Sequence, residues 1–117
     1  MAAGERLICE SATLVDSGDA VRFEVVHRGE AATAFAIRFD GQVHAYLNRC
    51  AHMAMELDWK PGRFFDAEGL LLVCSTHGAL YAPDTGDCVG GPCTGRLFRL
   101  DVVEREGAVF LKGGSDG

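Results

Sequence analysis

Turn signals recur so closely along this chain that they limit it to short elements of secondary structure. Gly makes up 15 of 117 residues, and Gly supplies the backbone conformations that tight turns require. No stretch between two turns keeps a helical period over the length of an ordinary helix. The turns are signalled at Gly18, Gly29, Asp40-Gly41, Pro61-Gly62, Glu68-Gly69, Thr85-Gly86, Gly90-Gly91 and Glu106-Gly107.

The segments between the turns are rich in β-branched and aromatic residues and predict strands. Alternation is clearest where Phe35, Ile37 and Phe39 share one face. The best helical candidate, residues 30–36, runs directly into that alternating segment and is therefore rejected. The predicted strands cover residues 20–28, 33–39, 43–49, 70–74, 96–104 and 108–112.

Two dipeptide turns predict hairpins and complete the prediction of fold class. Asp40-Gly41 is a strong short-range hairpin signal, and Glu106-Gly107 indicates another turn near the end of the chain. We therefore predict an all-β architecture of short antiparallel strands. The chain length suits a single domain over residues 1–117, with a frayed tail at 113–117.

Charge and composition narrow the classes of partner. The 17 acidic and 11 basic residues give a net charge of −6, which disfavours nucleic acid and anionic membranes because both attract basic patches. No segment approaches the roughly 20 apolar residues that span a bilayer, and the first residues lack the pattern of a secretory signal. We expect a cytoplasmic protein whose five cysteines are reduced thiols, some of them metal ligands.

Two short motifs each pair one cysteine with one histidine. Cys50 and His52 stand in "CAHMAMEL", and Cys74 and His77 stand in "CSTHGALY". A lone buried cysteine or histidine is ordinarily a packing residue, but four such residues in two paired motifs favour a metal site. Two thiolates and two imidazoles suit tetrahedral zinc or an iron–sulfur centre. The single residue between Cys50 and His52 is tight for one ion and is natural if the two side chains bind different metal atoms.

The two motifs resemble the cluster loops of Rieske [2Fe-2S] proteins, whose pattern is C-x-H, an intervening hairpin and then C-x-x-H-G. The following "YAPDTGDCVGGPC" resembles the family's continuation, with an aromatic residue, a turn and a Gly-Pro loop that covers the cluster. The resemblance implies one [2Fe-2S] cluster and a fold of small stacked sheets with two cluster-binding loops at one end. It further implies that Cys50 and Cys74 bind one iron and that His52 and His77 bind the other.

The resemblance also assigns neighbours of the cluster and a branch of the family. Tyr81 would donate its hydroxyl towards sulfur, Pro92 would cover the cluster, and Met53 would belong to an apolar rim, although ordinary packing explains Met53 equally well. Ala79 stands where high-potential members carry a serine donor, which predicts a lower reduction potential.

Cysteine placement distinguishes this chain from the cytochrome-complex class, whose cluster loops each carry an extra cysteine joined as a disulfide. Those cysteines are absent from both motifs here, so the chain resembles the soluble ferredoxin-type branch. Cys88 and Cys93 lie close together in the sequence, and a reducing compartment favours free thiols over a disulfide between them. Cys9, His27 and His44 receive no chemical role.

The implied function is one-electron transfer, with the protein as a carrier rather than an enzyme. The resemblance predicts a monomer that passes electrons between redox protein partners, a reductase and an oxygenase or similar terminal enzyme. One alternative is a small electron-transfer subunit fixed in a larger oxidoreductase, similar to the nitrite-reductase small-subunit branch. Another is a zinc-stabilised interaction module without a redox role.

Overall fold

The computed structural model describes residues 6–27, 29–48, 63–66, 68–74, 78–91 and 95–112. Within these ranges the single helical segment is a 3-10 turn at Ser11–Thr13, and no helix there has the length and apolar character to cross a membrane. The predicted all-β class is confirmed. The strands are β1 Arg6–Glu10, β2 Val21–His27, β3 Glu30–Phe39, β4 Gln42–Leu47, β5 Leu72–Val73, β6 Leu80–Tyr81, β7 Cys88–Gly90, β8 Arg99–Leu100, β9 Val102–Arg105 and β10 Ala108–Leu111.

The described strands form three antiparallel sheets. The central sheet has four strands in the order β2-β3-β4-β8, and the outer sheet has the order β1-β10-β9. The small sheet has the order β5-β6-β7, and an isolated bridge between Phe65 and Leu72 extends it by one residue pair. The second Cys/His motif begins at the end of β5, so the small sheet positions it.

The central sheet separates two apolar cores. Phe35 and Ile37 pack on its small-sheet side, as the predicted shared face requires, and Phe39 lies partly buried against the same core. Ala34 and Ala36 lie in a second core with residues of the outer sheet. β3 is therefore buried on both faces along its middle, because each face is covered by another sheet.

Both predicted dipeptide hairpins are confirmed. Asp40-Gly41 joins β3 to β4, and Glu106-Gly107 joins β9 to β10. The φ angles are 54° and 80° in the first pair and 53° and 77° in the second. Positive φ at both central residues defines a type I′ turn, whose twist matches that of the flanking strands.

Replacing Glu106 by asparagine is expected to stabilise the protein. Glu106 holds a left-handed backbone conformation that asparagine adopts more readily than glutamate. We expect Glu106→Asn to raise the free energy of unfolding by about 0.5–1 kcal/mol, measured by urea denaturation. Glu24→Asn removes the same charge from the exposed face of β2 and is expected to give no gain. Equal stabilities of Glu106→Asn and the wild type would refute the strain argument.

The differences from the predicted strands have local causes. The single strand that the sequence predicts over residues 96–104 changes sheets at Asp101, because β8 pairs with β4 and β9 pairs with β10. The segments β6 and β7 have two and three residues, too few to produce a periodic pattern. Residues 30–36 belong to β3, which agrees with the rejection of a helix. The predicted frayed tail at 113–117 lies outside the described residues.

Candidate functional site

The structure describes one of the four predicted cluster ligands, Cys74, and one of the three predicted neighbours, Tyr81. In the described part of the chain, no group of three or more His, Cys, Asp and Glu residues is placed to hold a metal ion. Three of the four predicted ligands lie outside the described residues, so the ligand set stays a prediction. The predicted residues outside the described part are Cys50, His52, Met53, His77 and Pro92.

Cys74 follows directly after β5 and is a fully buried free thiol. It belongs to the core between the small sheet and the central sheet, together with Phe35, Leu72 and Tyr81. A buried free cysteine can be a simple packing residue. A soft, dry sulfur at the start of a loop is also the kind of donor that iron–sulfur centres use, so the position of Cys74 fits such a group.

Two backbone hydrogen bonds fix the ends of the loop that starts at Cys74. The Cys74 N–H donates to the Ala79 carbonyl at 2.8 Å, and the Gly78 N–H donates to the Cys74 carbonyl at 2.8 Å. Gly78 has φ of 73°, a conformation that glycine adopts without strain. The loop between Cys74 and Gly78 is thus closed by the backbone itself.

Gly91 approaches this loop too closely to carry a side chain. A Cβ atom on Gly91 would lie 2.7 Å from the Ala79 Cα and 2.7 Å from the Gly78 carbonyl oxygen, and Gly91 has φ of 80°. Only glycine fits such a contact. The segment that leads to Pro92 in the sequence therefore begins in contact with the residues that end the loop after Cys74. The covering role of Pro92 stays a prediction.

The chain is also held firmly where it approaches the first motif. The Leu47 N–H donates to the Phe98 carbonyl at 3.0 Å, and the Asn48 N–H donates to the Thr33 carbonyl at 2.8 Å. Asn48 is buried. The central sheet therefore fixes the backbone to within two residues of Cys50.

Tyr81 is fully buried on β6, between β5 and β7. Its register partners are Leu72 on β5 and Cys88 on β7. Tyr81 shares a core with Cys74. The role of its hydroxyl stays a prediction.

The free-thiol state that the sequence analysis favours for Cys88 is wrong. Cys88 is bonded in a disulfide, and its partner lies outside the described residues. Cys9 and Cys74 are free. Spacing alone could not decide the state of Cys88, because a disulfide depends on a Cα and Cβ geometry that only the fold sets.

A group of polar side chains that the sequence pattern does not indicate joins the central sheet to the turn between β6 and β7 of the small sheet. Arg99 on β8 donates through Nη1 to the Tyr46 hydroxyl at 3.1 Å and to the Asp84 carbonyl at 3.0 Å. The Tyr46 hydroxyl donates to the Pro83 carbonyl at 2.8 Å, and the Arg99 Nη2 lies 3.1 Å from the His44 Nδ1. We call this group, His44, Tyr46 and Arg99 with the two carbonyls, the Tyr46–Arg99 clasp.

Both ionisable ring residues of the clasp have shifted pKa values, and burial is the largest cause in each case. Burial raises the pKa of Tyr46 to about 12, so its hydroxyl remains a donor. Burial and the nearby charge of Arg99 lower the pKa of His44. The sequence did contain one signal, since His44 and Tyr46 alternate onto the same face of β4, but their partner Arg99 lies far along the chain.

Comparisons with known proteins agree with this fold. The Nocardioides aromaticivorans IC177 ferredoxin of carbazole 1,9a-dioxygenase has a TM-score of 0.74 and 23% identity, covering 95% of this chain and 99% of the ferredoxin. A chain in a complex of reduced oxygenase and oxidised ferredoxin in carbazole 1,9a-dioxygenase has a TM-score of 0.72 and 23% identity, covering 97% and 96%.

A larger protein contains a similar unit. The terminal oxygenase of carbazole 1,9a-dioxygenase from Novosphingobium sp. KA1 has a TM-score of 0.72 and 26% identity, covering 97% of this chain but 31% of the oxygenase chain. No curated protein matches the sequence. Residues 5–104 match the family model of the Rieske [2Fe-2S] domain. Because this match spans most of the sequence, the chain belongs to the Rieske [2Fe-2S] domain family.

Proposed function

We propose that this protein is a one-electron carrier of the ferredoxin type, which passes electrons between a reductase and an oxygenase or another terminal oxidoreductase. The observation that carries this proposal is the match to a dioxygenase ferredoxin over 99% of the ferredoxin's length. The match to a terminal oxygenase, by contrast, accounts for 31% of that chain. The described fold is that of the electron-carrying unit, and the protein acts as a carrier rather than as a catalyst.

The cluster ligands in this proposal are Cys50 and Cys74 on one iron and His52 and His77 on the other. The burial of Cys74 and the backbone bonds that close its loop support this assignment. The bound cluster supplies a one-electron redox couple. Around it, Tyr81 would donate a hydroxyl hydrogen bond, and Pro92 and Met53 would limit the access of water.

The carrier is proposed to be a cytoplasmic monomer with transient partners. Cys9 and Cys74 are free thiols, which suits a reducing compartment, whereas the disulfide of Cys88 is of a kind that such compartments rarely maintain. The net charge of −6 suits partners with a basic docking face, because opposite charge accelerates encounter. A fixed subunit would instead remain bound to its partner through size-exclusion chromatography of a native extract.

Electron transfer can be tested with a partner of known chemistry. The holoprotein is reduced chemically under anaerobic conditions and mixed with oxidised cytochrome c, a basic one-electron acceptor. We expect about one cytochrome to be reduced per chain, because a [2Fe-2S] cluster holds one transferable electron. A holoprotein that is never reduced, or that passes no electron, would overturn the proposed function.

The reduction potential is expected to rise when Ala79 is replaced by serine. Ala79 is fully buried in the loop that begins at Cys74, and an added hydroxyl donor stabilises the more negative, reduced state. One neutral hydrogen bond of about 1 kcal/mol corresponds to roughly 40 mV for one electron.

A redox titration of the holoprotein measures this shift. Ala82→Ser is the matched control, because Ala82 lies in the turn after β6 rather than in the loop of Cys74, and its potential should equal that of the wild type. A reduction potential of Ala79→Ser equal to or below the wild-type value would contradict the inference that a hydroxyl at position 79 donates a hydrogen bond to the cluster.

A further inference from the structure

The Tyr46–Arg99 clasp fastens the small sheet to the central sheet at one turn. The turn at residues 82–86 connects β6 to β7, and it presents the carbonyls of Pro83 and Asp84 to the clasp. β4 and β8 pair directly, with Tyr46 opposite Arg99. The clasp therefore joins the rigid paired strands of one sheet to the turn of another.

Close packing leaves the clasp little freedom. Tyr46 is fully buried and His44 is 8% exposed. A Cβ atom on Gly86 would lie 2.8 Å from the Tyr46 Cε1, so the turn lies directly against the tyrosine ring. The Gly86 carbonyl also accepts a hydrogen bond from the Leu97 N–H at 2.8 Å. A change in the clasp must therefore act on the turn.

The contact between His44 and Arg99 requires a neutral imidazole. A guanidinium has donors and no acceptor and is always charged, so the His44 Nδ1 must accept the hydrogen bond from Arg99. A proton on Nδ1 would remove that acceptor and place two positive charges about 3 Å apart. The charged groups that face His44 are Arg99 from β8 and Asp84 from the turn, while its β3 register partner is the uncharged Ile37.

We propose that His44 is a pH-responsive positioning residue for the small sheet: the neutral ring holds Arg99 in the clasp, and the protonated ring repels Arg99 and loosens the turn at residues 82–86. Because the turn connects β6 to β7, the same event weakens the attachment of the small sheet to the central sheet. The inference rests on the fold and the clasp, and it holds whether or not the proposed ligand set is correct.

The direction of the pH dependence follows from linkage. Burial and Arg99 lower the pKa of His44 in the folded protein, so the folded state binds this proton less readily than the unfolded chain. The contribution of the neutral ring is complete above the unfolded value of about 6.5 and is lost as the pH falls below it.

Hydrogen–deuterium exchange of the holoprotein tests the proposal. The reporting amides are those of Ala82, which donates to the Asp87 carbonyl, of Gly86, which donates to the Ala82 carbonyl, and of Leu97, which donates to the Gly86 carbonyl. After correction for intrinsic exchange rates, we expect their protection to fall roughly tenfold between about pH 7.5 and about pH 5.5, the equivalent of one charge-assisted hydrogen bond.

Two variants separate His44 from other titrating groups. His44→Gln retains an acceptor for Arg99 and cannot be protonated, so its turn should stay protected at both pH values. Tyr46→Phe keeps His44 but loses the hydrogen bond to Pro83, so its turn should be less protected at both values and should still respond to pH. An equal pH response in the wild type and His44→Gln would overturn the proposal.

A second measurement applies even where His44→Gln fails to fold. Nitrogen NMR of the wild-type imidazole should find His44 neutral at about pH 6.5, and its protonation should coincide with the loss of protection in the turn. A His44 that becomes protonated while the turn stays protected would refute the proposal. The reduction of cytochrome c at about pH 7.5 does not depend on the protonation of His44. If the protein reduces cytochrome c but its turn shows no pH response, the role of His44 is refuted and the proposed function is not.

Discussion

Replacing Cys74 by alanine is expected to give a colourless protein that has lost its iron and acid-labile sulfide. Cys74 is the one proposed ligand within the described residues, and its thiol is fully buried at the end of β5. Alanine nearly preserves the packing but provides no thiolate for iron. Iron and sulfide assays after iron-replete expression measure the loss.

Cys9 supplies the matched control for that experiment. Cys9 is the other free cysteine in the described chain, but it lies on β1 and packs in the core on the opposite side of the central sheet. Cys9→Ala should therefore keep the wild-type iron content and colour. A Cys74→Ala protein with full iron and sulfide would contradict the ligand assignment, because a packing cysteine is dispensable for the cluster.

Replacing Phe64 by alanine is expected to have the largest effect on stability. The Phe64 ring is buried and stacks on Phe35 with the ring centroids 3.9 Å apart, and its carbonyl accepts a hydrogen bond from the Val73 N–H at 2.8 Å. The residue thus joins the small sheet to the central sheet beside Cys74. Truncating such a buried ring costs about 3–5 kcal/mol.

Urea denaturation measures this loss. The midpoint of Phe64→Ala should fall by roughly 1 M or more, given the usual dependence of stability on urea for small proteins. Phe98→Ala is the matched control, because Phe98 is 45% exposed and its truncation should change stability by about 1 kcal/mol or less. Equal midpoints for the two variants would mean that the stack does not hold the sheets together.

The local features of this fold were predictable from the sequence because each is encoded in a few adjacent residues. Asp40-Gly41 and Glu106-Gly107 specify their own turns through the conformations that their backbones adopt. Phe35 and Ile37 indicate a shared face through alternation. The pattern could not reveal that the neighbouring alanine, Ala34, is equally buried, because that burial depends on a sheet formed by strands from both ends of the chain.

The candidate site also combines features that adjacent residues encode with features that depend on distant strands. Cys74 and His77 could be recognised as candidate ligands because both stand in one short motif. The clasp could not be predicted, because Tyr46 and Arg99 are 53 residues apart and meet only when β8 pairs with β4. Sequence distance also hides which cysteine joins Cys88, since the pairing depends on three-dimensional geometry.

The most direct test of the central claim is the metal analysis of the purified protein combined with electron paramagnetic resonance of its reduced form. The account predicts about two iron atoms and two acid-labile sulfides per chain, no stoichiometric zinc, and nitrogen hyperfine couplings from two imidazole ligands in the reduced state. A colourless, iron-free protein from iron-replete cells, or a cluster whose spectrum carries no nitrogen coupling, would contradict it.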